Sequence, residues 1–123
     1  VRTNKEIKIE KLFDAVTVAA SGSTASPIME FQNGFTPDGF FSFQIIVTGS
    51  GTVKLQALVS NGDDVWILLS PDVAYGLVAA GGTEANGKYF WTYAVPLCAR
   101  LKFRLVQTGA VNSATVTVIM AQQ

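Results

Sequence analysis

The sequence predicts an all-β domain, an antiparallel β-sandwich of about eight short strands, for which a jelly roll is one available arrangement. Three observations carry this. Apolar and polar residues alternate with a period of two through most of the chain. Glycine, proline and asparagine turn signals interrupt the alternation at a spacing of roughly 8–12 residues. No helical periodicity is sustained over as many as ~10 residues.

Taken in order, Ile7 and Ile9 share one strand face while Lys8 and Glu10 share the other. DAVTVAA, residues 14–20, reads as a short strand, and SGSTASP, residues 21–27, as a loop of small residues ending in Pro27. Ile28–Gln32 is a further short strand, followed by turn signals at Asn33-Gly34 and Pro37-Asp38-Gly39. FFSFQIIVT, residues 40–48, is rich in aromatic and β-branched residues. Gly49-Ser50-Gly51 turns it into TVKLQALVS, with Val53, Leu55, Ala57 and Val59 on one face. Asn61-Gly62 is the sharpest hairpin signal, since both residues accept positive φ. Val65–Leu69 follows, is broken by Pro71-Asp72, and leads to a short strand within 73–80. Lys88–Val95 sets Tyr89, Trp91 and Tyr93 against Phe90, Thr92 and Ala94. Arg100–Gln107 sets Leu101, Phe103 and Leu105 inward and Arg100, Lys102 and Arg104 outward. Ala114–Met120 is the last strand.

The chain has 123 residues, enough for one domain with a core that needs no disulfide. There is no histidine and one cysteine, Cys98, which reads as a small buried apolar residue. Without histidine there is no Ser-His-Asp triad, no Cys-His dyad and no closed His/Cys zinc site. No catalytic residue, cofactor-binding residue or metal ligand is therefore assigned, and the expectation is a non-enzyme. Asp63, Asp64 and Asp72 could offer oxygens to calcium, but their spacing does not match an EF-hand loop. Gly49-Ser50-Gly51 and Gly81-Gly82 match no phosphate-binding loop.

Net charge is zero with a pI of about 6.3, so direct nucleic-acid binding is not expected. No secretory signal is visible, and no apolar run approaches the ~18 residues that span a bilayer. The chain opens at Val1, which fits a chain that has lost its initiator methionine. Hydrophobic residues make up 49% and charged residues 15%, which leads us to expect some apolar surface covered by another protein.

Charge is unevenly distributed. Residues 1–14 hold seven of the 18 charged side chains, residues 30–84 sum to −5 and residues 85–123 to +4. Residues 1–13 are accordingly read as a charged N-terminal arm or edge strand, and 14–123 as the sandwich. The arm would dock on a neighbour through Lys5, Ile7, Ile9, Leu12 and Phe13. Arg100, Lys102 and Arg104 form a basic row with a repeat of about 6.6–6.8 Å. Such a row is either a solvated sheet face or one met by an acidic surface, from the 30–84 stretch or from a partner, and the acidic surface is the favoured reading. Tyr89, Trp91 and Tyr93, and Trp66 separately, read as core or interface aromatics, or as a platform for sugar rings.

The stretches SGSTASPI, FFSFQIIVTGSGTVKLQALVSNGDDVW, YFWTYAVPLCARLKFRLVQTG and ATVTVIM together resemble the small β-sandwich virion proteins of tailed bacteriophages, the capsid decoration (cement) and head accessory proteins. The resemblance covers residues 14–120 and lies in the cadence of strands and turns. It implies a virion structural protein, made in the host cytoplasm, that binds the major capsid protein and copies of itself on the outer surface of the head. The alternatives are a carbohydrate-binding module, with a glycan as partner, and a small tail or baseplate adaptor.

Overall fold

The computed structural model describes residues 8–31, 40–79, 87–109 and 113–122. They form ten strands: β1 (Lys8–Val18), β2 (Ser23–Ala25), β3 (Met29–Glu30), β4 (Phe40–Gly49), β5 (Val53–Ser60), β6 (Ile67–Leu68), β7 (Ala74–Leu77), β8 (Lys88–Ala94), β9 (Arg100–Gln107) and β10 (Ala114–Gln122). All pairings are antiparallel. One sheet has the order β1-β10-β4-β8. The other runs β2-β9-β5-β6, with β3 also on β9 and β7 also on β5. No helix long and apolar enough to cross a membrane occurs among the described residues.

β2 with β3, and β6 with β7, each act as one interrupted strand. Counted so, there are eight, and the chain folds back on itself about the β5–β6 turn. First pairs with last (β1 with β10), then β2/β3 with β9, β4 with β8, and β5 with β6/β7. This is the connectivity of a jelly roll, and it settles which sandwich the alternation builds.

The alternation becomes burial directly. Along β9 and β10 every second residue is buried: Leu101, Phe103, Leu105 and Gln107 on one, Ala114, Val116, Val118 and Met120 on the other. Phe41, Phe43, Ile45 and Val47 of β4 join them, opposed by Val53, Leu55 and Ala57 of β5. The sheets meet at an aromatic cluster. Phe103 lies 5.1 Å from Phe43, 5.9 Å from Tyr93 and 6.4 Å from Phe41 between ring centroids, all edge-on.

Several expectations are corrected. β1 runs through residue 13 without a break, as an edge strand of the β1-β10-β4-β8 sheet, the second of the two readings of the N-terminal segment. Leu12 and Phe13 are buried in the chain's own core and do not dock on a neighbour. Adjacent residues of a regular strand point to opposite faces, so burying both on one side needs an irregularity. A register shift between Lys11 and Phe13 removes that restriction, and a second lies between Phe13 and Val16. Ala15 takes φ 49° there, and its N–H donates to the Thr117 hydroxyl at 3.0 Å.

The 21–27 loop contains β2, which pairs with β9. Val65–Leu69 shortens to Ile67–Leu68, and among the described residues of the expected strand at 28–32 regular pairing is found at Met29–Glu30. The Asn61-Gly62 hairpin is wider than a two-residue turn. Val59 pairs with Ile67, and the left-handed positions are Asp63 (φ 58°) and Asp64 (φ 53°). Asn61 instead uses its side-chain oxygen to accept the Ala99 N–H at 2.9 Å. Lys5, Ile7, Asn33-Gly34, Pro37-Asp38-Gly39 and Gly81-Gly82 lie outside the described residues.

Gln107 is a buried polar side chain on the inward row of β9. Its Oε1 accepts N–H groups from Thr52 (2.8 Å) and Gly109 (3.1 Å), and its Nε2 donates to the Ser50 carbonyl (3.4 Å). It thereby ties the β4–β5 turn to the end of β9. Gly51 sits against it at φ +95°, where an added Cβ would meet the Gln107 amide.

Two outcomes follow from this packing. Phe103→Ala should lower unfolding free energy by about 3–5 kcal/mol in urea titration, because a fully buried ring leaves a cavity between sheets. Gly51→Ala should lose more than about 1 kcal/mol, since the backbone conformation and the Gln107 latch both oppose the methyl group. A Gly51→Ala protein as stable as the parent would show that the latch is dispensable.

Candidate interaction surface

The two outer faces of the sandwich differ in chemistry. On the β2/β3-β9-β5-β6/β7 sheet, the outward row of β9 is Arg100, Lys102, Arg104 and Val106. Directly opposite on β5 stand Ser60, Leu58, Gln56 and Lys54. Glu30 is the neighbour of Arg100 on the β3 side.

The basic row is met within the molecule. Arg100 reaches Asp64 at 3.4 Å and donates to the Ser60 hydroxyl at 3.3 Å. Arg104 donates to the Gln56 side-chain oxygen from Nε (3.0 Å) and Nη2 (2.6 Å). Gln56 passes the link on by donating to Asp72 at 3.4 Å, and Asp72 faces Lys54 at 3.9 Å. Lys102 lies 4.3 Å from the centre of the Trp66 ring and the Arg100 guanidinium 5.2 Å from it. The acid-rich stretch therefore supplies the facing acids itself, at Asp64 and, through Gln56, at Asp72. Exposed pairs of this kind add little stability but consume the charge. Among the described residues, no three His, Cys, Asp or Glu side chains gather as metal ligands would.

The outer face of the β1-β10-β4-β8 sheet is different. Its two central strands present Thr115, Thr117, Ile119 and Ala121 from β10 beside Thr48, Ile46, Gln44 and Ser42 from β4. Neither strand carries a charge. Phe90, Thr92 and Ala94 of β8 continue the face on one side and Ile9 of β1 on the other. Ile9 is 67% exposed, Phe40 67% and Phe90 68%. Charge on this face is confined to the edge strands, at Lys11, which pairs with Asp14 at 3.4 Å, and at Lys88. A face with an uncharged centre and three exposed large apolar side chains is the kind of surface that marks an interaction site in other proteins. The non-core positions of β4 and β10 already held this signal in the sequence. It reads there as ordinary strand polarity, because threonine and serine fill the alternate sites.

The structure brings Ile9 to this face and Arg100, Lys102 and Arg104 to the opposite one. Tyr89, Trp91 and Tyr93 point inward from β8 and pack half-buried against the core. The Tyr89 hydroxyl donates to the Val78 carbonyl and accepts its N–H, both at 3.0 Å. Two depressions lie at the sandwich margins. One, of about 340 Å³, runs between β1 and β3 over Leu12, Met29 and Phe31. The other, of about 440 Å³, lies between the 59–67 segment and Leu97-Cys98.

No protein-family model matches this sequence, and no curated protein matches it. Solved structures share the fold. PirA superposes with a TM-score of 0.54 at 14% identity, over 98% of this chain and 96% of that one. Latent PorU from Porphyromonas gingivalis gives a TM-score of 0.51 at 12% identity, over 95% of this chain and 12% of PorU. The VP2 capsid protein of infectious bursal disease virus gives 0.48 at 11% identity, over 95% of this chain and 32% of VP2. For PirA and PorU, at such identities, the likeness is one of fold alone.

Burial pushes the Cys98 thiol above its ordinary pKa. Burial, and secondly the neighbouring Cys98, raise the Tyr93 phenol. The neutral thiol is a poor nucleophile. Alkylation of Cys98 by iodoacetamide should therefore be slower than that of a cysteine peptide at neutral pH and reach half its maximal rate at a higher pH. Urea should abolish the difference. A folded-state rate equal to the peptide's would contradict the assignment.

Proposed function

We propose that the chain is a non-enzymatic structural protein of a virion, a decoration or cement protein bound to the outer surface of a phage head. The observation that carries the reading is the outer face of the β1-β10-β4-β8 sheet, uncharged along its two central strands and set opposite a face whose cations are engaged by Asp64, Asp72, Gln56 and Trp66. A module built to lie on a shell needs one broad face that loses little on desolvation, since uncharged side chains leave water far more cheaply than charged ones. The strand-and-turn cadence, which resembles that of phage decoration proteins, supports the same reading. In it, the face around Ile119 seats on the major capsid protein, and the opposite face with Arg100, Lys102 and Arg104 stays in solvent.

A carbohydrate-binding role is the weaker reading for a specific reason. Tyr89, Trp91 and Tyr93 are turned toward the core, and one side of the Trp66 ring is occupied by cations. A tail or baseplate adaptor would use the same uncharged face on a different partner.

The test is co-sedimentation of the purified protein with empty heads and, separately, isolated tails of the cognate phage. The expected result is saturable binding to heads. Ile119→Glu, which places a charge at the centre of the face, should weaken it at least about tenfold while the melting temperature stays within a few degrees. Binding to tails alone would move the assignment to the adaptor. Absence of binding to either particle would refute the virion reading.

A further inference from the structure

We infer that the open edge of β8 is a strand-pairing site for a second copy of this chain, joining two four-stranded sheets into one continuous sheet across a two-fold axis at Trp91. The inference deepens the assembly-module reading by naming a self-contact. It rests on that reading only for its expectation that copies meet.

A sheet edge exposes a row of unpaired N–H and C=O groups, and proteins usually interrupt such edges to prevent pairing. Three of the four edges here are interrupted. β1 carries two register shifts and the left-handed Ala15. The β2/β3 edge is cut into strands of three and two residues with Pro27 between them. The β6/β7 edge is cut into two and four residues with Pro71 between them. β8 alone is unbroken. Its seven residues pair with β4 in one constant register, Phe40↔Ala94 through Ile46↔Lys88, and Lys88 is its only charge.

The direction of its backbone groups follows from one hydrogen bond. The Val47 N–H donates to the Gly87 carbonyl at 2.8 Å, in line with the β4–β8 register. In an antiparallel ladder, alternate residues turn both backbone groups to the same neighbour. Tyr89, Trp91 and Tyr93 therefore face β4. Lys88, Phe90, Thr92 and Ala94 turn theirs to the open side, where among the described residues no strand pairs with β8 and no backbone group meets them.

The strand is close to symmetric about Trp91. An antiparallel copy centred there sets Phe90 opposite the partner's Thr92, Tyr89 opposite the partner's Tyr93, and Lys88 opposite the partner's Ala94. The four outward-facing residues of each copy then exchange about eight backbone hydrogen bonds. The two lysines stand at opposite ends, so the only charges on the edge never face each other. Aromatic residues meet aromatic residues on the inner side, a favourable cross-strand pairing. Tyr75, 60% exposed, lies against Trp91 with ring centroids 5.2 Å apart and planes tilted by 59°, and adds to that apolar flank. An isologous contact of this kind closes as a dimer and does not propagate.

The decisive variant is Thr92→Pro. The Thr92 N–H faces away from β4, so proline removes no hydrogen bond of the native ladder and blocks only the added strand. Sedimentation equilibrium of the purified wild-type chain should show a monomer–dimer equilibrium. Thr92→Pro should raise its dissociation constant at least about tenfold with an unchanged far-ultraviolet circular dichroism spectrum. Independently of that variant, amide exchange of wild-type Phe90, Thr92 and Ala94 should slow as protein concentration rises, while Tyr89, Trp91 and Tyr93 stay protected throughout. The inference is overturned by a wild type that remains monomeric at millimolar concentration, by a Thr92→Pro chain that dimerises like the parent, or by Phe90 and Thr92 amides equally protected at every concentration. Because no shell is present, such a failure leaves head binding untouched.

Discussion

Contact between Phe103 and the rings of Phe41, Phe43 and Tyr93 is the interaction on which the rest of the sandwich depends. Phe103 comes from one sheet and its three neighbours from the other. A sheet cannot bury its apolar face alone, so each sheet is stable only because the other covers it. The edge-on arrangement matters as well as the area. Rings that meet edge to face gain from their quadrupoles and leave few voids, which holds the two sheets at one spacing. That spacing lets the outward side chains of both sheets form ordered faces.

The division of labour between those faces is electrostatic. One sheet sets Lys54, Arg100, Lys102 and Arg104 on its central strands and engages them locally, down to the Arg104–Gln56–Asp72–Lys54 chain of contacts. The other keeps charge off its two central strands. The charges of the second sheet sit on its edge strands, β1 and β8, and leave its centre bare. A protein so arranged has little long-range field to steer it, and contact area decides what it binds.

Much of this was legible in the residues. Strand β9 alternates cleanly, as a buried strand face demands, and β4, β5, β8 and β10 are marked by aromatic and β-branched residues between turn signals. The first strand was harder to read, because its bulges bring Leu12 and Phe13 to the same side and so break the pattern that identifies a strand. β2 was hidden for another reason. Its small residues carry no hydrophobic signal, and what holds them in place is the ladder to β9, a contact with residues 80 positions away. Asn61-Gly62 marked a real turn but misplaced its left-handed residues, since Asn61 is engaged by the Ala99 N–H. On the surface, the basic row was plain and its company was not. Trp66 reaches Lys102 only because the 60–66 segment folds back over the sheet, and no local pattern announces that.

The pairing of β1 with β10 has a consequence for how the chain is made. Lys8 stands opposite Gln122, and Val18 opposite Ala114. During synthesis the first strand emerges long before the only strand that can accept it. It must wait on the ribosome with its buried row, including Phe13 and Val18, open to water. The fold is thus one in which the sheet closes from both ends of the domain at the last moment. Chains with so many distant pairings fold slowly and are vulnerable while they do. A bulged first strand suits that wait, because an irregular edge is a poor template for the nascent chains around it.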